Sequence, residues 1–510
     1  MSLARSALSL MAAKTVAFAL TFALPLLLVR TLSQTEFGLY KQVFLLVGSA
    51  LAILPLGFVM SAFYFLPRHP DHRPGIVCNI LLFYLVVGGV AGLVLVGQPQ
   101  ILAAMFHDPT LAALARPIAV LVFLMIAFSF TELIALANGD VRVATGLIVV
   151  SNLTKTLLLA GAALVFRSFE AIVAAAIVQG VLQAALLVWY LNGRFPGFWR
   201  GPNRSVIRAQ LLYALPLGTA AVLLVVQNDL HSYFVAHYFD AATYAIYAVG
   251  CFQLPLLSIL SESVGSVMIP AVSRLQLENR PAEIVQLGAR LMRVLAAIHF
   301  PLFVVLLIAG RDLITVLFTV RYADSWPIFA VNLMLIPLGI LTSVSDPVLR
   351  AYPVYIPRLL RVRVGLLGAL LIGAWLATSH RLLLGAIVVM VVITAADRVV
   401  LAVILGRALR VSRRDLPLLA DVGKLAGAAG LAGLVAAGAH GLVTGVAPVV
   451  VLATTTAVFT ATYLVLLVVL GVPTADERRL AREWAGRILR RGGPPPSPIA
   501  LRGVGDEAAP

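Results

Sequence analysis

Stretches of about 20 apolar residues, each long enough to cross a hydrocarbon core of about 30 Å, recur along almost the whole of this chain. Fourteen can be placed, near residues 8–29, 39–60, 76–96, 113–137, 145–166, 171–191, 211–235, 244–270, 291–309, 326–345, 364–378, 383–405, 425–441 and 448–470. A backbone in hydrocarbon must satisfy its own hydrogen bonds, which leaves helices or a closed barrel. Barrel strands would alternate, whereas these runs are continuously apolar. The expected fold is all-α and integral to the membrane, with about 14 transmembrane helices. Only 12% of the residues are charged, which excludes a soluble enzyme.

The charge that is present has a strong sign: 38 Lys+Arg against 22 Asp+Glu, a net +16. On a soluble chain this would suggest nucleic acid; between membrane spans it reads as topogenic charge, and no nucleic-acid partner is expected. With the N-terminus inside, the internal loops hold 20 basic residues, among them Arg194, Arg200, Arg204, Arg208, Arg350, Arg358, Arg361, Arg363, Arg407, Arg413 and Lys424. The external loops and their margins hold seven: Arg30, Lys41, Arg116, Arg167, Arg311, Arg321 and Arg381. That bias places both termini in the cytoplasm, in agreement with an even number of spans. Lys14 interrupts the first apolar run, which favours an uncleaved anchor over a signal peptide.

External loops are short, the longest near 97–110 and 310–325, so no external catalytic domain fits. Past the last span, Thr474 and Glu477 have capping-box spacing, and Leu480, Trp484 and Ile488 share a helical face among arginines. Residues 471–491 are expected to form a cytoplasmic amphipathic helix, and 492–510, rich in proline, a disordered tail. Cys78 and Cys251 lie within apolar runs, which leaves neither a disulfide framework nor a cysteine zinc site. The sequence holds no Walker motif, zinc helix motif or nucleophile elbow; no cofactor, metal or catalytic residue is expected.

An internal repeat is visible at an offset of 207 residues. Phe37 and Tyr40, which open the second span, align with Tyr244 and Tyr247, which open the eighth. They head two sets of six spans, 1–191 and 211–405, separated by the Arg-rich loop 192–210 and followed by two further spans within 406–470. The segment from Leu28 to Tyr40, then Leu54-Pro55-Leu56-Gly57 and Phe65-Leu66-Pro67-Arg68, resembles the opening of the polysaccharide or oligosaccharide flippases. These are the Wzx-like branch of the superfamily that also contains multidrug exporters and lipid II flippases. The resemblance covers roughly residues 1 to 470. It implies two six-helix lobes in a V around a central cavity that opens alternately to each side, with the last two spans beside them.

Ionisable groups at membrane depth cost several kcal/mol and are site candidates until a structural partner explains them. Lys14, Glu132, Lys155, Asp229, His231, Glu262, Asp397 and Arg398 qualify. Lys155, near the middle of its span, shares a face with Asn152 one turn earlier; the alternative is a structural bridge from Lys155 to Glu132. Ser258, Glu262 and Ser266 form one stripe on span eight, and span seven carries Gln227, Asn228, Asp229, His231 and Ser232. These read as a hydrated wall for sugars, with Asp229 or Glu262 coupling a proton or cation; the alternative is polar packing between helices. Asp397 and Arg398 point about 100° apart as sequence neighbours and are expected to need other partners. Gly423, Gly427, Gly430 and Gly433 suggest close helix contact at span thirteen.

A lipid-linked oligosaccharide must keep its pyrophosphate and glycan out of hydrocarbon. Lys14 and Lys155 suit the pyrophosphate, Arg30 could receive it near the outer surface, and Asn152, Asn228 and Ser258 suit the glycan. The resemblance therefore implies a flippase of polyprenyl-pyrophosphate-linked oligosaccharides in the bacterial cytoplasmic (inner) membrane. Its partners would be membrane lipids and the polymerase and glycosyltransferases of cell-surface polysaccharide assembly. The lipid II branch has arginines in spans one and eight, where this chain has Lys14 and Glu262, which favours a different glycan. A cation-coupled multidrug exporter of the same fold, a membrane glycosyltransferase or polymerase, and a purely structural scaffold are the competing classes.

Overall fold

A computed structural model describes residues 3–443 and 445–473; for residues 3–8, 217, 220, 221, 255, 256 and 258 it describes the backbone alone. The expected helix at 471–491 and tail at 492–510 therefore fall, from residue 474 onward, outside the described residues, and Ser258 among those without a described side chain. The described residues contain helices and no strand. In chain order these are α1 (Leu3–Thr31), α2 (Gln34–Ile53), α3 (Ser61–Arg68), α4 (Arg73–Gly97), α5 (Gln100–Phe106), α6 (Pro109–Ala113) and α7 (Ala115–Phe128). There follow α8 (Thr131–Ala137), α9 (Val141–Val165), α10 (Phe169–Arg194), α11 (Arg204–Tyr238), α12 (Ala241–Gly250), α13 (Pro255–Leu277) and α14 (Pro281–Phe318). The last are α15 (Trp326–Asn332), α16 (Leu335–Ala351), α17 (Ile356–Ser379), α18 (Leu383–Ala408), α19 (Ala420–Leu442) and α20 (Pro448–Val469).

Among the described residues, 11 helices are long and apolar enough to cross a membrane, or 12 if the bent pair Val320–Asn332 and Leu335–Ala351 counts as one span. This is a multi-pass membrane protein. The other two of the fourteen runs expected from hydropathy, the seventh and eighth, fall on α11, α12 and α13, where residues 217, 220, 221, 255, 256 and 258 are described by backbone alone. The seventh run lies within α11, and the eighth is divided at Cys251 to Leu254 into α12 and α13. Span two is divided in the same manner. Pro55 ends α2, and Leu56 and Gly57 take positive φ values of 48° and 62° before α3 resumes.

The starts of α2 and α12 show why the aromatic repeat matters. Ser33 caps α2 by accepting from the Glu36 amide, and Asp240, 207 residues later, caps α12 by accepting from the Thr243 amide at 2.7 Å. Phe37, Tyr40, Tyr244 and Tyr247 are all buried. They face protein, because α2 and α12 pack directly on each other. Their approach is so close that a Cβ on Gly38 would stand 1.8 Å from the Ala241 carbonyl oxygen. A second such crossing puts Gly218 of α11 against the Leu56 carbonyl, where a Cβ would lie 2.0 Å away.

Neighbouring pairs recur along the chain. In the first half α1 packs on α9, α4 on α7, and α10 on both α7 and α9. In the second, α11 packs on α17, α14 on α15 and α16, and α18 on α15, α16 and α17. Helices α19 and α20 pack on one another and on α14. Of the span-thirteen glycines only Gly433 makes the close contact expected of them: its Cβ would meet Val304 at 2.4 Å, while Gly423, Gly427 and Gly430 face open space. Buried Ala428, Ala429, Ala432 and Ala436 supply the rest of that small-residue face.

Candidate functional site

Three of the chain's four lysines lie within spans of the first half: Lys14 on α1, Lys41 on α2 and Lys155 on α9. Lys14 is exposed and Lys155 half-buried, on two helices that pack together. Neither has a hydrogen-bond or ion-pair partner among the described residues. The bridge from Lys155 to Glu132 weighed above is not formed: the charge that acts on the Glu132 carboxylate is that of Lys14. Asn152 spends its amide on the Ile148 carbonyl one turn back, at 2.9 Å, which leaves its side-chain oxygen for another partner. Ser151 is instead held to α10, its carbonyl accepting from Gln179 and its hydroxyl from Gln183. Lys41 was counted above with the external margin, yet it lies two turns inside α2 with its ammonium 5.5 Å from the centre of the Phe37 ring.

The polar residues of span seven do not share one role. Ser49 of α2 donates to Asp229 at 2.6 Å, so this carboxylate is tied across the α2–α11 contact. His231 is buried with Nδ1 2.7 Å from the Tyr247 hydroxyl, a packed histidine bonded within the protein. Asn228 is exposed. Gln227 is buried, and its side-chain oxygen has no partner. On α13, Glu262 is exposed, Ser261 bonds to Ser343 of α16 at 2.8 Å, and Ser263 and Ser266 turn back to their own helix.

The second half holds an ionic cluster that the sequence did not reveal. Asp397, 2% exposed, receives two hydrogen bonds from the Arg363 guanidinium, at 2.9 and 3.2 Å. Arg363 had been assigned to a loop; it is buried on α17, two turns past the helix start. Arg398 also reaches Asp397, at 3.5 Å, and Asp346 of α16 at 3.8 Å. Adjacent residues do diverge at their Cα atoms, but the arginine side chain is long enough to fold back, so the expectation that the two could not pair fails. Three helices, α16, α17 and α18, are thereby pinned through charge.

At the end assigned to the exterior, two arginines cross between the halves in opposite directions. Arg30, at the C-terminus of α1, donates to the Leu317 carbonyl at 2.7 Å and the Val316 carbonyl at 2.8 Å, at the C-terminus of α14. Arg321, just past α14, donates to the Val29 carbonyl at 3.0 Å, and Gln34 donates to the Arg321 carbonyl. Each guanidinium thus caps the other half's helix end, where carbonyls lack partners and the helix dipole favours a cation. Phe22, Phe252 and Phe318 meet nearby in tilted and edge-to-face contacts, with ring centres 5.5 and 5.3 Å apart. Arg30 is in this state a clasp between the halves.

The described residues thus form a multi-pass helical bundle with broken spans, three span lysines without an ion pair and arginine contacts at the ends of α1 and α14. It is similar to a lipid II flippase MurJ in an inward closed conformation, with a TM-score of 0.66 at 11% identity over 89% of this chain and 98% of that one. It is also similar to an inward-facing multidrug resistance MATE family transporter of the MOP superfamily, with a TM-score of 0.56 at 13% identity over 78% and 96%. A third is a MOP superfamily transporter from Pyrococcus furiosus whose binding pocket is described as reversed in polarity, with a TM-score of 0.54 at 12% identity over 80% and 95%. At such identities the likeness is one of fold. The chain belongs to the polysaccharide biosynthesis protein family, whose sequence profile matches residues 27–327. Among the curated proteins no sequence match is found.

Proposed function

We propose that this protein is a flippase, not an enzyme, that carries a polyprenyl-pyrophosphate-linked oligosaccharide across the bacterial cytoplasmic membrane by alternating access. The observation that carries the reading is Lys155, a cation in the middle of α9 with no ion-pair partner, beside the helix that bears Lys14. A charge left unpaired at that depth is costly, and an anionic substrate entering between the halves would offset the cost. Lys14 and Lys155 hold the pyrophosphate; Asn152, Asn228 and Ser258 contact the glycan; Asp229 and Glu262 are the coupling groups. In this reading residues 1–191 and 211–405 are the two lobes, joined by a cytoplasmic loop at 192–210, and the recurring pattern of helix pairs supports that division. Both termini are cytoplasmic, and the Arg30 and Arg321 clasp holds the exterior closed until the lobes part, when Arg30 becomes free to meet the departing phosphate.

The test uses the full chain in phosphatidylcholine vesicles containing a polyprenyl-pyrophosphate oligosaccharide, scored by access of an external glycosidase to the glycan. The wild type should expose internal glycan with time, Lys155→Ala should slow this about tenfold or more, and Lys155→Arg should retain part of the rate. Wild-type rates in Lys155→Ala would overturn the site assignment. Failure of the wild type to move any such glycan, with export of a cationic dye in its place, would overturn the substrate assignment.

A further inference from the structure

The hairpin of α17 and α18 carries a feature that the transport reading does not use. Between its two helices lies a groove of about 370 Å³ lined by Tyr355, Arg358, Val362, Val399, Val403 and Arg407. Arg358 stands in the first turn of α17 and Arg407 in the last turn of α18, so both are at the same end of the hairpin. Each is exposed, neither has a hydrogen-bond or ion-pair partner among the described residues, and no carboxylate lines the groove. Toward the middle of the span the floor turns apolar. Val399 and Val403 are 54% and 47% exposed, and with Arg407 they stand at i, i+4 and i+8 along one face of α18. Arg358 and Val362 repeat that order on α17.

We propose that this groove binds one anionic phospholipid, with its phosphate between Arg358 and Arg407 and an acyl chain along the valines. Charge complementarity selects the headgroup, because two partnerless guanidinium groups converge where no acid answers them. The valine floor selects a lipid over a free anion, since a phosphate alone would leave it wet. Topogenic charge has no need of this convergence: Arg413 and Arg414 follow closely in sequence, are exposed and stand outside the groove. The proposal is independent of the transported substrate, because it uses none of the transport residues.

Native mass spectrometry of the full chain in neutral detergent tests it, with phosphatidylglycerol, phosphatidylcholine and glycerol phosphate as probes. One phosphatidylglycerol should be retained in preference to phosphatidylcholine. The double variant Arg358→Gln/Arg407→Gln should weaken retention about tenfold or more, at roughly the worth of two arginines at an anionic surface. Arg358→Lys/Arg407→Lys should keep most of it, which separates loss of charge from loss of fold, and Val399→Asn/Val403→Asn should weaken it by removing the floor. An equal loss in Arg413→Gln/Arg414→Gln would mean diffuse surface charge, and displacement of the lipid by equimolar glycerol phosphate would mean a free-anion site. Either result, or equal retention of phosphatidylcholine, overturns the proposal.

Discussion

In the first half of the molecule the lysines within the spans are Lys14, Lys41 and Lys155, and none has an ion pair among the described residues. In the second half three span arginines, Arg293, Arg363 and Arg398, each have a carboxylate: Asp421, Asp397 and the shared Asp397 and Asp346. The two side chains suit these different duties. Arginine's planar fork can satisfy both oxygens of a buried carboxylate, as Arg363 does for Asp397, whereas lysine is a flexible point charge that can shift between partners. Both halves contain an aspartate–arginine contact between helices, Asp140 to Arg194 and Asp346 to Arg398. They differ in what lies deeper, a neutralised cluster in one and unpaired charge in the other.

The largest effect expected from that contrast is on stability. Asp397→Asn leaves Arg363 buried without its counter-charge and should cost about 3–5 kcal/mol. Unfolding in detergent measures it. The double variant Arg363→Met/Asp397→Leu, which removes both charges, should recover most of the loss. A single variant as stable as the wild type would mean that the pair does not anchor α17 to α18.

Lys155 should give the opposite result. Lys155→Met removes a charge with no partner, so unfolding should be unchanged or slightly harder, while vesicle transport falls about tenfold, a barrier change of about 1.4 kcal/mol. A destabilised Lys155→Met with normal transport would place this lysine in the same class as Arg363 and dissolve the comparison. Because Lys14 is the cation that acts on Glu132, neutralising Glu132 should alter Lys14 variants more than Lys155 variants.

Between these in kind lies the clasp. Arg30→Ala/Arg321→Ala should shift the protein toward the state open at the Arg30 end, by about 1–3 kcal/mol for charge-assisted bonds to carbonyls. Labelling of a cysteine placed at Leu26, in a background with Cys78 and Cys251 replaced by serine, would report it, rising several-fold in the double variant. No change in labelling would mean that the aromatic cluster of Phe22, Phe252 and Phe318 alone holds the closure.

The contrast was half legible in the sequence. Lys155 and Asp397 stood out because each interrupts a continuously apolar run, and the aromatic pairs pointed to α2 and α12 before any coordinates did. Arg363 and Lys41 were missed for one reason: each lies within two turns of a span end, where hydropathy blends a buried side chain into the loop. The pairing of Arg398 with Asp397 was missed because Cα directions say little about a side chain with four rotatable bonds. Pairings across helices, such as Ser49 with Asp229 or Arg30 with Val316, depend on how helices are set beside each other, and a one-dimensional pattern holds no register between helices. The broken eighth span was hidden because its two pieces are both apolar.

The smallest effect should come from the shared feature. Arg194 reaches Asp140 at 3.2 Å, but its side chain is half exposed, and Asp140 also accepts from the Tyr190 hydroxyl at 2.8 Å and from Asn138 at 2.9 Å. Arg194→Gln therefore leaves the carboxylate two neutral donors and access to water, and should cost less than about 1 kcal/mol. It should also be sensitive to salt, since an ion pair at the water's edge is screened while the Arg363–Asp397 pair is sheltered. The measurement is the loss on Arg194→Gln at low and high ionic strength beside the same series for Asp397→Asn. A loss above about 2 kcal/mol that salt does not reduce would show that the first half, too, is held by a sheltered ion pair, and the division of labour between unpaired lysines and paired arginines would then have no basis in the architecture.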